Sequence, residues 1–284
     1  MNSCYGVLGS PGCRFFDARL ATSITRRGHQ ILQRTRDYIE EAGHRVIYGD
    51  TDSVFVWIQT AADDAAAVAA GRQLETSLNA WWRQQIADEF GLASALELEF
   101  ETHYKRFLMP TVRGSDKGSK KRYAGVVASP GGDRLVFKGL ENVRTDWTRL
   151  ARSFQEELYR LVFMEEPFVD FVRQTNLQLF AGQCDHELVY RKRLRRKLDD
   201  YQRNVPPHVQ AARLYGQRGL PPPSRGSWVE YVITAAGAEP AEAPHAPLDY
   251  EHYAERQLQP VADGILGFVG TSFRGIVDKQ IDLF

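Results

Sequence analysis

Two aspartates, Asp50 and Asp52, lie two positions apart in the stretch RVIYGDTDSVFVWI, residues 45–58. Apolar runs on both sides indicate two strands, 45–48 and 53–58, joined by a tight turn. Carboxylates held this close repel each other unless a cation lies between them. Mg²⁺ prefers such oxygen ligands, and a pair of these ions can hold the reacting groups of a phosphoryl transfer. Asp, Gly and Thr are also ordinary turn residues, so a solvated turn is the alternative interpretation.

The elements around this turn follow from hydrophobic periodicity. Apolar residues recur at helical spacing over 15–42, and the alanine-rich residues 62–89 predict a second helix. The alternating sequence LELEF, 96–100, predicts a half-buried strand. YKRFLMPTV, 104–112, and KRYAGVVA, 121–128, predict two more strands on either side of a turn-rich segment. This order of helix, hairpin, helix and strands predicts an α+β sheet domain.

From about residue 146 the pattern becomes mainly helical. Helices are expected over 146–177, 186–202, 206–216 and 249–278. WVEYVIT, 228–234, predicts a strand within this part. Residues 235–247 contain few large apolar side chains, which predicts a mobile loop.

Charge is segregated along the chain although the formal net charge is zero. Residues 61–101 are strongly acidic, whereas residues 102–138 and 185–225 are strongly basic. Opposite blocks cancel in the total but remain separate along the chain, so the basic blocks indicate contact with a polyanion.

Several classes of protein are disfavoured by the composition. The sequence contains no run of about 18 apolar residues, so no membrane span is predicted. Its first residues lack the pattern of a signal peptide. The three cysteines, Cys4, Cys13 and Cys184, are scattered and show no CxxC spacing, which argues against a zinc site or a disulfide framework. A reducing cytoplasm is the expected compartment.

Four motifs, in order along the chain, carry a resemblance to a known family. They are NSCYG (2–6), YGDTDS (48–53), KKRYAG (120–125) and KGLENVRTDW (138–147). The second resembles the signature palm hairpin of family B DNA polymerases. The others resemble the end of that family's fingers motif, its KKRY strand and the segment leading from palm to thumb, and the resemblance extends over essentially the whole chain.

The resemblance implies an architecture. It is an antiparallel palm sheet with flanking helices, followed by a mostly α-helical thumb. The implied divisions are the end of the fingers motif at 1–14, the palm at 15–145, the thumb at 146–278 and a C-terminal clamp-binding tail at 279–284.

The resemblance also implies the catalytic residues. Asp52 would be the direct ligand of two catalytic Mg²⁺ ions, and Asp50 the weaker or outer ligand. Asn2, Tyr5 and Gly6 would line the pocket of the nascent base pair, where a flat aromatic ring accepts any base pair of the right shape.

Contacts to primer–template DNA are implied for basic residues. Lys120, Lys121, Arg122 and Tyr123 match the motif beside the primer terminus, where a lysine can donate to minor-groove acceptors present in every base pair. The duplex backbone would be met by Lys138, Arg144, Arg191, Arg193, Arg195 and Arg196. A solvated charged surface is the alternative for these groups. Glu141 and Asp146 are expected to be ion-pair partners of the neighbouring bases.

A second binding site is implied at the C-terminus, which reads KQIDLF. Gln280, Ile281, Leu283 and Phe284 resemble the peptide by which bacterial polymerases dock on the sliding clamp; packing of this apolar end on its own domain is the alternative.

Together these features imply a DNA-directed DNA polymerase of the cytoplasm and nucleoid, without membrane association. It would use deoxynucleoside triphosphates and Mg²⁺ in DNA repair or translesion synthesis. The family's upstream palm aspartate and fingers lysines have no counterpart in this sequence. The 284 residues are therefore expected to be a fragment that does not polymerise alone, which leaves a non-catalytic DNA-binding and clamp-binding fragment as the second hypothesis. An RNA-templated polymerase is disfavoured, because its hairpin usually carries adjacent aspartates.

Overall fold

A computed structural model describes residues 3–110 and 121–278, with the backbone alone for residues 3–5. The chain divides into two compact units, Met1–Lys105 and Arg106–Phe284. This division falls inside the expected palm range, 15–145, so the limits of palm and thumb stay a prediction. The predicted α+β class is confirmed: helices are combined with small antiparallel sheets in the described part of the chain.

The described residues of the first unit form three helices and a hairpin. Its elements are α1 (Ser3–Leu8), α2 (Ala18–Glu41), β1 (Arg45–Asp50), β2 (Ser53–Trp57) and α3 (Asp64–Phe90). The two long helices begin at acidic caps: Asp17 accepts from the Arg19 amide, and Asp63 accepts from the Ala66 amide at 2.8 Å. Gly91 ends α3 in a left-handed conformation at φ 64°.

The core of this unit lies between α2 and α3. Ile39 is fully buried, and Trp82 is 3% exposed with its indole N–H donating to Thr35 Oγ1 at 3.0 Å. The guanidinium of Arg34 lies 5.1 Å from the Trp82 ring and donates to Glu89 at 2.7 Å. A buried ring and a polar clamp thus fix α3 against α2, the helix on which the hairpin packs.

The strand predicted over 96–100 is wrong, since the segment has no strand partner among the described residues. Instead, the Asn79 side chain forms hydrogen bonds with both the carbonyl and the N–H of Leu98. The ring of Phe100 lies over Gly71, where a Cβ atom would come within 2.5 Å of it. Packing on α3, and not a sheet, therefore accounts for the alternating pattern.

In the second unit, residues 106–110 and 121–278 include two three-stranded antiparallel sheets. The first has the order β3 (Arg106–Leu108), β4 (Tyr123–Val127), β5 (Arg134–Lys138). The second has the order β6 (Tyr190–Arg193), β7 (Trp228–Thr234), β8 (Gly237–Pro240). The strands predicted at 121–128 and 228–234 are confirmed.

Helices surround these sheets. They are α4 (Arg149–Phe163), α5 (Val169–Phe180), α6 (Pro207–Leu214), α7 (Tyr250–Tyr253), a π-helical turn (Ala254–Leu258), α8 (Gln259–Leu266) and α9 (Phe273–Val277). Short 3₁₀ turns lie at Glu141–Val143, Asp185–Glu187, Leu198–Asp200, Gly216–Arg218 and Gly267–Val269. The shared core includes Ala124, Leu140, Leu158 and Ile265, all at most 2% exposed. Within the described ranges, no helix has the length and apolar composition to cross a bilayer.

Several helix predictions in this unit need correction. The helix expected over 146–177 is two helices, because Glu165 adopts a left-handed φ of 58° between α4 and α5. The helix expected over 186–202 is wrong: residues 190–193 form β6, which pairs with β7. The continuous helix expected over 249–278 is broken at Gly267–Val269. The loop expected over 235–247 includes β8, whose Ala238 and Glu239 are buried.

Candidate active-site hairpin and DNA-contact residues

The two aspartates lie at the turn of the β1–β2 hairpin, as the sequence predicts. Asp50 pairs with Ser53, so that only Thr51 and Asp52 remain in the loop. The register shifts between Val46 and Tyr48, which leaves Ile47 as an extra residue in β1. The hairpin packs on α2, where the position of a Cβ on Gly49 would be 3.6 Å from the Leu32 side chain.

Hydrogen bonds fix the turn around Asp50. The Thr51 hydroxyl donates to Asp50 Oδ1 at 3.0 Å, and the Ser53 hydroxyl donates to the Asp50 carbonyl at 3.3 Å. The amide of Asp52 donates to the same carbonyl. Asp50 is half-buried and Asp52 is exposed. The turn thus holds one carboxylate in place and leaves the other accessible.

The side chains at the turn match the ligand preference of Mg²⁺ in part. Two carboxylates two residues apart are hard oxygen ligands of the kind this ion prefers. Within the described residues, no three His, Cys, Asp or Glu side chains come close enough to form a larger metal site. The hairpin therefore supplies ligands of the right chemistry, with carboxylates from this turn alone.

The KKRY motif opens β4. Lys120 lies outside the described residues, whereas Lys121 is exposed and has a left-handed φ of 62°. Tyr123 pairs with Lys138 of β5, and its ring lies 5.3 Å from that of Phe107. Gly139, also left-handed at φ 63°, passes directly beneath the Lys121 carbonyl.

Arg122 is engaged inside the protein. Its Nη2 donates to Glu141 Oε1, and its Nε is buried without a hydrogen-bond partner among the described residues. The Gln155 amide donates to the second oxygen of Glu141 at 2.9 Å, and its own oxygen accepts from the Asn142 backbone N–H at 2.7 Å. The expected ion-pair role of Glu141 is thereby found; the part played by Gln155 was not predicted.

Arg144 and Asp146 form the second expected ion pair. Two nearly parallel hydrogen bonds, of 3.0 and 2.9 Å, join the guanidinium to the carboxylate. The hydrogen bonds from Arg144 hold the pKa of Asp146 below its usual range. A DNA contact by Arg144 stays a prediction and would have to compete with this pair.

The basic run lies on and after β6, and not on the helix that the sequence predicts. Arg191 lies 4.7 Å from the Trp228 ring and 3.4 Å from Glu230. Arg193 donates to the Gly226 carbonyl at 2.7 Å. Arg195 and Arg196 follow as exposed residues. Because strand pairing sets these positions, the basic surface includes Trp228, which the sequence pattern alone did not select.

The remaining expected site residues are only partly described. Gly6 lies exposed in α1. Asn2, the side chain of Tyr5 and the tail residues Gln280, Ile281, Leu283 and Phe284 lie outside the described residues. Their roles in base-pair recognition and clamp binding stay predictions.

Comparison with known proteins agrees with these features. The sequence model of DNA polymerase family B matches residues 1–266. The chain is 55% identical over its whole length to DNA polymerase II of Escherichia coli, of which it spans 37%. It is 28% identical to a DNA polymerase of Thermococcus gorgonarius, with 95% of this chain and 34% of that protein covered.

A solved structure gives the same result. The family B DNA polymerase of Pyrobaculum calidifontis matches 95% of this chain with a TM-score of 0.61 and 28% identity, over 33% of its own length. The chain thus spans about a third of the length of these relatives. The chain belongs to DNA polymerase family B.

Proposed function

We propose that the chain is the palm and thumb part of a DNA-directed DNA polymerase, which adds deoxynucleotides to a primer 3′-hydroxyl. The observation that carries this proposal is the β1–β2 hairpin. In a chain that belongs to family B, it presents Asp50 and Asp52 at a two-residue turn. In this assignment 1–14 ends the fingers, 15–145 is palm, 146–278 is thumb and 279–284 is a clamp-binding tail.

The two aspartates have different tasks in the proposed reaction. Asp52 is exposed and would be the direct metal ligand, whereas Asp50 is half-buried and held by Thr51. A bound pair of Mg²⁺ ions would activate the primer oxygen and stabilise the leaving pyrophosphate. The contribution of the chain is to keep the two carboxylates oriented, so that little reorganisation is needed during the reaction.

Other residues would bind DNA and the incoming nucleotide. Lys121 would donate to minor-groove acceptors of the primer–template, and the exposed bases on and after β6 would meet phosphates. The base-pair pocket would include Asn2, Tyr5 and Gly6. The tail residues Gln280, Ile281, Leu283 and Phe284 would bind a bacterial sliding clamp.

The similarity to DNA polymerase II of Escherichia coli supports a narrower assignment. We place the parent protein in DNA repair or translesion synthesis, in the cytoplasm and associated with the nucleoid.

A second function is favoured by one specific observation. Among the described residues no group of three His, Cys, Asp or Glu side chains could hold a metal ion, and two carboxylates form only part of a two-metal site. In isolation the chain would then bind primer–template DNA and the clamp without polymerising.

Primer extension by the purified 284-residue chain tests both functions. Wild type, Asp52→Ala and Asp170→Ala are compared with all four nucleotides and Mg²⁺; Asp170 is a matched control whose side chain is 98% exposed. We expect salt-sensitive binding of a primed template by all three proteins and extension by none. Extension lost only in Asp52→Ala would establish a working centre inside this chain and overturn its predicted inactivity. Extension that survives Asp52→Ala would overturn the role of Asp52, and failure to bind DNA would overturn the DNA-binding assignment.

A further inference from the structure

The surroundings of Arg122 indicate a role for Glu141 that the sequence motif does not assign. Glu141 is 6% exposed, and Gln155 is fully buried. Both carboxylate oxygens of Glu141 are used, one by Arg122 and the other by Gln155. A buried carboxylate is tolerated when its lone pairs are satisfied in this way. The group is therefore a hydrogen-bonded network that ties Arg122, the residue before β4, to α4 through Glu141 and Gln155.

The backbone beside Arg122 is also held from a second side, by Gly139. Gly139 passes under the Lys121 carbonyl so closely that a Cβ would overlap the oxygen and lie 3.3 Å from the carbonyl carbon. Lys121 itself has a left-handed φ of 62°, a conformation that a residue with a side chain seldom adopts unless its neighbours hold it. The neighbours that hold Lys121 in this conformation are Arg122 on one side and Gly139 on the other.

We infer that Glu141, with Gln155 and Gly139, is a positioning residue, which sets the backbone of 121–123 so that Lys121 meets the primer–template. Arg122 then serves as the anchor of this segment and not as a phosphate ligand. The inference rests on the proposed function, because Lys121 is taken there as a DNA contact. It deepens that function by assigning the acidic residue through which the contact is held.

Glu141→Gln tests the inference because the network cannot accommodate an amide. Arg122 and Gln155 both donate to residue 141, but glutamine offers one acceptor oxygen and one NH₂ group, which only donates. Rotation of Gln155 would not help, since its oxygen is needed by the Asn142 N–H. Some donor therefore loses its acceptor, and the start of β4 is released.

The direction of the change in DNA affinity distinguishes a positioning role of Glu141 from a simple effect of its charge. Removal of a negative charge strengthens attraction to a polyanion, so simple electrostatics predicts tighter DNA binding by Glu141→Gln. The inference predicts weaker binding. Glu157→Gln is the matched control: it removes one carboxylate from α4 where the side chain is 42% exposed.

The experiment measures primer–template affinity of the 284-residue chain by fluorescence anisotropy. Lys121→Ala should weaken binding about tenfold, the value of one hydrogen bond from a charged donor. Glu141→Gln should weaken it by at least about threefold and should have no further effect when combined with Lys121→Ala. Gly139→Ala, which changes no charge, should behave in the same way, and it keeps the test available if the buried substitution unfolds the protein.

The outcomes are distinct. Weaker binding by Glu141→Gln and Gly139→Ala, absent in the Lys121→Ala background, supports the inference. Lower thermal stability with unchanged affinity shows a purely structural network and overturns it, as does a loss that adds fully to that of Lys121→Ala. If Lys121→Ala leaves affinity unchanged, the DNA contact in the proposed function fails, and the inference fails with it.

Discussion

Asn79 and Leu98 exchange two hydrogen bonds, as paired residues of a β-ladder do. The Asn79 amide donates to the Leu98 carbonyl at 2.7 Å, and the Leu98 N–H donates to Asn79 Oδ1 at 2.9 Å. The asparagine side chain thereby replaces a strand. It fastens the acidic segment after α3 to the helix and satisfies backbone groups that would otherwise need a partner.

Asn79→Asp should destabilise the first unit by about 1–3 kcal/mol, because the carboxylate cannot donate to the Leu98 carbonyl and repels it. Urea unfolding followed by tryptophan fluorescence, to which Trp81 and Trp82 on α3 contribute, measures this loss. Gln73→Ala on the exposed side of the same helix is the control and should change little. An unchanged urea midpoint for Asn79→Asp would contradict the assigned hydrogen bonds.

Thr51→Gly should stabilise the hairpin. Thr51 has a φ of 48°, which costs a β-branched residue roughly 1–2 kcal/mol and costs glycine almost nothing. The lost hydroxyl bond to Asp50 and the greater entropy of the unfolded chain offset part of this gain. Hydrogen exchange of the β1 and β2 amides should slow relative to wild type. Faster exchange would show that the threonine hydroxyl outweighs the backbone strain.

Gln257→Leu should destabilise the start of α4. Gln257 Oε1 accepts from both the backbone N–H and the hydroxyl of Thr148, at 3.1 and 2.9 Å, and both residues are buried. Leucine leaves these donors without an acceptor, at a cost of about 1–3 kcal/mol. A thermal melt followed by circular dichroism measures the shift. Gln259→Leu, two positions away and half-buried, is the control.

Glu239→Ala should expose residues 241–247 to proteases. Glu239 is 6% exposed by side chain, pairs with Arg218 at 3.2 Å and accepts from the His245 and Ala246 amides. Loss of one partner of a buried pair costs about 3–5 kcal/mol and frees the segment. Limited proteolysis with fragment mapping should find new cuts there. The exposed Glu242→Ala is the control, and equal cleavage of both variants would refute the anchoring role.

Stability should fall as the pH drops below about 6.5. Burial, assisted by Arg256 and opposed by Asp249, lowers the pKa of His252 from 6.5 in the folded protein. Between the folded and the ordinary pKa the unfolded chain binds more protons, so stability is full above pH 6.5 and declines below it. His252 also shares a 3.0 Å hydrogen bond with the Tyr190 hydroxyl.

His252→Gln should flatten this pH dependence by up to about 1.4 kcal/mol per pH unit, the value for one proton. Urea unfolding at several pH values between 5 and 8 provides the measurement. His186→Gln, at an exposed position, is the control and should keep the wild-type slope. Equal slopes for both variants would exclude His252 as the source.

Local signals predicted the elements that carry their own pattern. Helix α2 has apolar residues at helical spacing, α3 is rich in alanine, and the hairpin has apolar strands around a turn. Elements that depend on a distant partner were missed. Residues 190–193 have no alternation, with one buried tyrosine before three exposed bases, and become a strand only by pairing with β7. β8 was missed for the same reason, because its small residues show no strand pattern of their own.

The candidate site shows the same limit. The position of Asp50 and Asp52 at the turn and the ion-pair roles of Glu141 and Asp146 could be predicted, because each lies in a short motif. Gln155 could not, since it reaches Glu141 from another helix and its type is common on helices. The first group is identified by neighbours in the sequence. Gln155 is identified only by its contact in the folded protein, which the sequence does not specify.

The bulge at Ile47 has a consequence for how this hairpin can evolve. A deletion of that residue would leave every other pair of the ladder intact, because Val46 already faces Val56 and Tyr48 faces Phe55. Val46 and Tyr48 would then be direct neighbours with side chains on opposite faces, as those of their partners Val56 and Phe55 already are. Loss of the extra residue would reduce the local bend and twist of β1 without inverting the valine or the aspartates of the turn. A change of one residue in length is therefore an accessible route of divergence at this position.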